Sequence, residues 1–309
     1  MNLLQELIIK HPMASWNWKL LSSNPSITFD FILAHPELPW AWKYISMNQS
    51  INEKEVRSRL ECPWDFEGLV MNPNISLSFF EEYMIKPDVV HYVDWDRISA
   101  NPSITMIDVI NNPKYKWNDF YLSTNPNVNS NFIMNEGSDR KWHIPAISAN
   151  PGITTRDIFK STLKSFLSMN KGWCFKNLSA NPNLPIPFVN ENLNQDWNYF
   201  SMSINVSMTD METYKQISWD GYGLSLNKNI SFDYVKYRSD IKWDVKSLLS
   251  NSGITLKDIV DNNSWFRNQL SKKDCITSMS SNPNITLQWI ADNYRDIDWN
   301  ALSMNRLQK

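Results

Sequence analysis

Glycine is nearly missing from this chain, with seven in 309 residues, and that alone removes Gly-rich phosphate loops and dinucleotide fingerprints from consideration. Cysteine is as sparse. Cys62, Cys174 and Cys275 lie far apart and form no metal-ligand spacing, and an odd, low count suits a reducing compartment where thiols serve as small buried hydrophobes. The four histidines, His11, His35, His91 and His143, show no pairing at helical spacing, so each reads as an ordinary structural histidine. Charge of either sign is not in excess. Thirty Lys and Arg against thirty-two Asp and Glu leave a net charge of -2, which suggests neither a nucleic-acid clamp nor an acidic tail. Apolar runs approaching the ~20 residues of a membrane span are absent. The segment Met1 to Lys10 contains Glu6 and lacks a basic n-region and a small-residue cleavage site, so no signal peptide is expected. No catalytic residue, metal site or cofactor is predicted.

What the chain does have is one motif, repeated. The run Leu-Ser-x-Asn-Pro-x-Ile-Thr recurs with its Asn at Asn24, Asn48, Asn72, Asn101, Asn125, Asn150, Asn181, Asn205, Asn227, Asn251, Asn282 and Asn305. The basic interval is about 24 residues, lengthened by five to seven before Asn101, Asn181 and Asn282. A Trp stands eight residues before the Asn in nine units (Trp16, Trp40, Trp64, Trp117, Trp142, Trp173, Trp197, Trp219 and Trp243) and six before it at Trp18, Trp42, Trp95 and Trp299. Trp289 falls in a separate aromatic slot, and only Trp265 lies outside the pattern. The residue three before the Asn is always apolar; two before it is Ser, except at Val70 and Leu249.

These offsets predict two short helices per unit. Thr28, with Ile27 before it and Ile32 at the fourth helical position, has the form of an N-cap with a hydrophobic staple, as do Thr105, Thr255 and Thr286. Glu55, Asp108, Asp157, Glu212 and Asp258 are expected to complete capping boxes at the third position of this helix A. Asn17, Asp65, Asn118, Asn198, Asp220 and Asp244 are expected to cap helix B, with the preceding Trp stapled onto an apolar residue such as Leu21 or Leu69. Helix B should end at the signature Asn in a left-handed conformation, with Pro blocking continuation. Helices this short do not survive alone in water, so the indoles and aliphatics are expected to form interior rungs shared between neighbouring hairpins. The predicted fold is therefore all-α, an α-solenoid of about twelve helix-pair repeats forming an elongated superhelical array. It spans 1–309 as a single repeat domain and leaves no room for a catalytic domain.

Units such as ASWNWKLLSSNPSIT and DWDRISANPSIT resemble the tandem repeats of giant DNA viruses of amoebae, the mimivirus relatives. The resemblance covers essentially the whole chain and implies a setting in the infected host cell, the cytoplasmic virus factory included; it implies no ligand and no chemistry.

Lengthened units in repeat proteins carry loops or extended helices that serve binding. They span about Tyr83 to Asp94, Asp157 to Trp173 and Asp261 to Cys275. The second brings Lys160, Lys164 and Lys171 together with Phe166; the third brings Arg267, Lys272 and Lys273 together with Trp265 and Phe266. These nine residues are the candidate partner-binding set, set against the plainer reading of a longer helix A with a solvated basic face. The leading expectation is a non-enzymatic scaffold for a protein partner, host or viral, with no membrane association. Two others stand beside it: nucleic-acid binding through the basic lengthened units, and a structural component of the virion.

Overall fold

The computed structural model describes residues 1–85, 93–160, 163 and 172–307, without the side chain at 160. Among them the only regular structure is helical, and the helices alternate as the spacing predicts: Leu3–Lys10 and Trp18–Ser23, Phe29–Ala34 and Trp42–Ser46, and so on to Leu287–Asp292 and Trp299–Met304. The chain is an all-α repeat array of twelve helix pairs among the described residues. Its contacts gather into two compact units, one formed by Met1–Ile51 with Tyr199–Lys309, the other by Asn52–Asn198. No helix among the described residues is long and apolar enough to cross a membrane.

Local chemistry sets each helix start. Thr28, Ser76, Ser231 and Thr286 each accept the backbone N–H three residues on, and Asn52–Glu55, Thr105–Asp108 and Thr255–Asp258 close reciprocal capping boxes. At helix B, Asn17, Asp65, Asn118, Asp220 and Asp244 cap as expected. Among the described residues the α-helices run four to eight residues, and only Leu3–Lys10 and Lys272–Met279 reach eight.

Packing follows from these lengths. The apolar residue three before the Asn is nearly or wholly buried throughout, from Leu21 and Ile45 at 0% to Met279 at 4%, and the aliphatic three after it is buried at Ile27, Ile51, Ile75, Ile104, Val128, Ile153, Ile230, Ile254 and Ile285. The indoles are less central than the staple argument expects. Trp16, Trp142 and Trp197 are buried, whereas Trp40, Trp64, Trp117, Trp173, Trp219 and Trp243 are half-buried. In several repeats the ring lies with one edge at the A-to-B turn, because its N–H donates to the carbonyl five residues back: Trp16 to His11, Trp40 to His35, Trp117 to Asn112, Trp197 to Asn192 and Trp243 to Arg238, all at 2.8–2.9 Å.

The signature Asn is not left-handed. Asn24, Asn72, Asn101, Asn150, Asn227, Asn251 and Asn305 are all extended, with φ between -67° and -79° and ψ between 113° and 137°. A following Pro disfavours the helical basin at Asn24, Asn72, Asn101 and Asn150, but Asn227, Asn251 and Asn305 are extended without one, so the common cause is the carboxamide, which uses the extended form to bridge repeats. Its Oδ1 accepts the N–H two residues on, as from Ser26 to Asn24 at 2.9 Å, while its Nδ2 reaches back to carbonyls of the preceding repeat. Asn48 donates to Ser22, Asn24 and Ile27, Asn125 to Ser99, Asn101 and Ile104, and Asn282 to Leu249, Asn251 and Ile254. The Ser two before the Asn works in the opposite direction. Its hydroxyl donates to the carbonyl four residues back and accepts the N–H of the next repeat's helix-B cap, as Ser225 does with Gly221 at 2.7 Å and Asp244 at 2.8 Å.

One repeat departs from this register. Ser203 is followed by a turn two residues shorter than its counterpart after Ser22, so Val206 takes the buried place of Ile27 and Ser207 caps the next helix, Met208–Thr213. Asn205 is consequently exposed, and Asn227 donates to Ser203 and Val206 instead. The expected capping partner is also displaced: Asp210, not Glu212, stands at the third position and accepts the Ser207 hydroxyl at 2.6 Å. Glu212 instead accepts from Tyr234 at 2.7 Å and Arg238 at 3.0 Å.

The chain ends are neighbours. Asn24 donates to the carbonyls of Ser303 at 2.9 Å and Asn305 at 3.0 Å, and the Asn17 N–H donates to the Ser303 hydroxyl at 3.0 Å. Repeat one thus receives repeat twelve through the same bonds that join consecutive repeats.

Candidate functional site

Because the Asn and Ser groups are used in joining repeats and most indole N–H groups in the A-to-B turns, the residues left for other roles are those the motif does not specify. They concentrate in the lengthened units. In the second of these Lys164, Phe166 and Lys171 lie outside the described residues, as does the side chain of Lys160; within the first, Tyr83 to Asp94, residues 86–92 also lie outside them, His91 included. The third is described throughout.

There helix A, Leu256–Asp261, is followed by an added short helix, Asn263–Arg267, and helix B begins a turn early, as Lys272–Met279 capped by Ser271. This early start accounts for one exception to the Ser rule. The position that caps helix B elsewhere is here Cys275, whose N–H already bonds the Ser271 carbonyl at 3.0 Å. No hydroxyl is needed from the preceding repeat, and Leu249, fully buried, fills that place. A Ser there would bury an oxygen without that N–H to accept.

The added helix is held backwards by its aromatics. Phe266 is 1% exposed and stacks on Phe232 of the preceding repeat, with centroids 5.1 Å apart and planes at 27°, while half-buried Trp265 meets the same ring edge-on at 5.4 Å. Phe266 is therefore packed inside the fold, where its ring lines the cleft described next instead of standing on the outer surface; its period-breaking position gave no sign of a partner inside the fold. Arg267, Lys272 and Lys273 are exposed, as that set requires.

Forward of the added helix a cleft of about 380 Å³ opens. Ile259 and Val260 form one wall, Phe266 the back, Cys275, Ile276 and Met279 the floor, and Trp289 of the last repeat the far side. Arg267 and Lys272 stand on its rim with Asn263 and Asn293, and no acidic residue lines it. Neither cation makes an ion pair among the described residues. Val260 at the edge is 62% exposed, and its neighbour Ile259 is buried. Burial pushes the Cys275 thiol above its ordinary value of 9.0, Arg267 pulls it back and Asp274 adds to the rise, so the sulfur stays protonated at neutral pH and serves as apolar floor.

Elsewhere the polar clusters are self-satisfied. Arg57 lies over the rings of Phe79 and Tyr83 and pairs with Glu53 and Glu82; Arg238 pairs with Glu212 and Asp240. His143 caps Ile144–Ala149 through Nδ1, which accepts the Ala146 N–H at 3.3 Å. Among the described residues no group of three or more His, Cys, Asp or Glu is placed to hold a metal ion. No family model matches the chain, and no curated protein or solved structure is significantly similar to it.

Proposed function

We propose that the chain is a non-enzymatic scaffold that binds a protein partner, with the third lengthened repeat as its contact surface. The observation that carries this reading is the division of labour between residues. Most of the recurring Asn, Ser and Trp polar groups bond within and between the repeats, while the third lengthened repeat holds an open apolar cleft lined also by two cations without ion-pair partners among the described residues. An apolar centre with a charged, solvated rim is the anatomy of a protein-recognition site. The resemblance to giant-virus repeats puts the encounter, in this proposal, in the cytoplasm of the infected cell.

The test is a photo-crosslinking amino acid placed singly at Val260, Met13 or Tyr237, all strongly exposed, in the full chain expressed during infection. A discrete protein adduct from at least one position is expected. Adducts to nucleic acid, or none at any position, overturn the scaffold reading.

A further inference from the structure

Resting on that scaffold reading, we infer that the cleft of the third lengthened repeat takes a peptide segment of the partner carrying one large apolar side chain flanked by acidic residues. The shape argues for the first feature. The floor and walls are Ile259, Ile276, Met279, Phe266 and Trp289, and 380 Å³ has room for a leucine or an aromatic ring but not for a folded element. Desolvating a side chain of that size against apolar walls supplies the main attraction. The rim argues for the second. Arg267 and Lys272 line the opening from separate helices, both exposed; no carboxylate lines the cleft and neither cation makes an ion pair among the described residues, Asp292 and Asp296 lying with Lys272 in the adjoining hollow. A basic or neutral segment would leave both cations facing apolar surface without a counter-charge. An acidic one completes them and is steered to the opening from a distance.

The probe is a set of short fluorescein-labelled peptides in a Gly-Ser background, each with a central Leu, Phe or Trp flanked by Asp and Glu. Matched sets have the acids replaced by Lys, or the apolar residue replaced by Ala. Fluorescence polarisation should show the acid-flanked set binding best and weakening as salt rises, with about tenfold loss in the double charge reversal R267E/K272E, the scale of two rim pairs. Isoleucine methyl resonances of Ile259 and Ile276 should shift on titration. Both reversed positions are exposed, so circular dichroism of the variant should match the parent. Equal binding of acid-flanked and Lys-flanked peptides, unchanged affinity in R267E/K272E, or methyl shifts confined to other isoleucines overturns the inference. So does occupancy by dodecanoate alone, which would make the cleft a small-amphiphile site. Crosslinks from Met13 or Tyr237 with none from Val260 would overturn the cleft while leaving the scaffold reading in place.

Discussion

Replacing Asn48 by alanine removes three donated bonds, to Ser22 at 2.9 Å, Asn24 at 3.0 Å and Ile27 at 3.3 Å, and one accepted from Ser50 at 2.8 Å, at a site with no solvent exposure. A net value of about 1 kcal/mol for each buried bond gives an upper figure of about 4 kcal/mol. The loss is tempered because the Asn24 carbonyl keeps the Ile27 N–H and the Ile27 carbonyl keeps the Ser50 hydroxyl, which brings the expected cost to about 2–4 kcal/mol. Asn205→Ala is the matched control. It changes the same consensus residue in the same compact unit at an exposed position, and should stay within about 0.5 kcal/mol of the parent. Urea unfolding followed by circular dichroism, with native-state hydrogen exchange to locate the effect, measures both. Asn48→Asp sharpens the comparison, since a carboxylate has no N–H and would face three carbonyls. Its folded pKa would rise, so the variant's stability should fall as pH increases through the unfolded Asp value of about 3.9. Equal, small losses for Asn48→Ala and Asn205→Ala would refute the claim that the carboxamide, and not the turn, joins the repeats.

The indoles allow a parallel contrast. The Trp219 N–H is buried without a partner, whereas that of Trp243, equally half-buried in the same unit, donates to Arg238 at 2.9 Å; Trp243→Phe should cost about 1–2 kcal/mol more than Trp219→Phe in chemical denaturation, and equal costs would contradict it. At the chain ends, Asn24→Ala should destabilise by about 2–3 kcal/mol, as at an internal repeat, and a loss below about 0.5 kcal/mol would mean that repeats one and twelve do not meet in solution. Glu53 is partly buried, which raises its pKa, but hydrogen bonds from the Ser76 hydroxyl and N–H and from Arg57 outweigh burial and hold it below the ordinary 4.5. Its contribution is therefore complete above 4.5 and lost as the pH falls through the lower folded value, so Glu53→Gln should cost about 1 kcal/mol at pH 7 and progressively less in acid; a cost that does not change with pH would sink the assignment.

Helix positions and caps were legible because they depend on side chains within three or four residues, as at Thr28 and Asp65. The role of the signature Asn was not, because its partners lie a full repeat away; read locally, an Asn after a helix suggests a left-handed cap, and only the following Pro hinted otherwise. Consensus alignment failed in a definite way at Asn205. A two-residue deletion moves the functional register onto Ser203 and Val206 while leaving an Asn and a Met at superficially right offsets, and Glu212 was misassigned as a result. Of the candidate site, the cations were readable as an excess over the motif. The apolar cleft was not, since Phe266 belongs to the wall of a cavity whose far side, Trp289, arrives with the next repeat.

The same logic bears on the ends of the chain. The joint between repeats one and twelve is built from consensus groups, Asn17 and Asn24 on one side and Ser303 and Asn305 on the other. Asn24 donates to the carbonyls of Ser303 and Asn305 as Asn48 donates to those of Ser22 and Asn24, and the Ser303 hydroxyl accepts the Asn17 N–H as the Ser22 hydroxyl accepts that of Ala41. Partners and distances match those of an internal joint, so the same groups join repeats that are far apart in sequence and repeats that are adjacent.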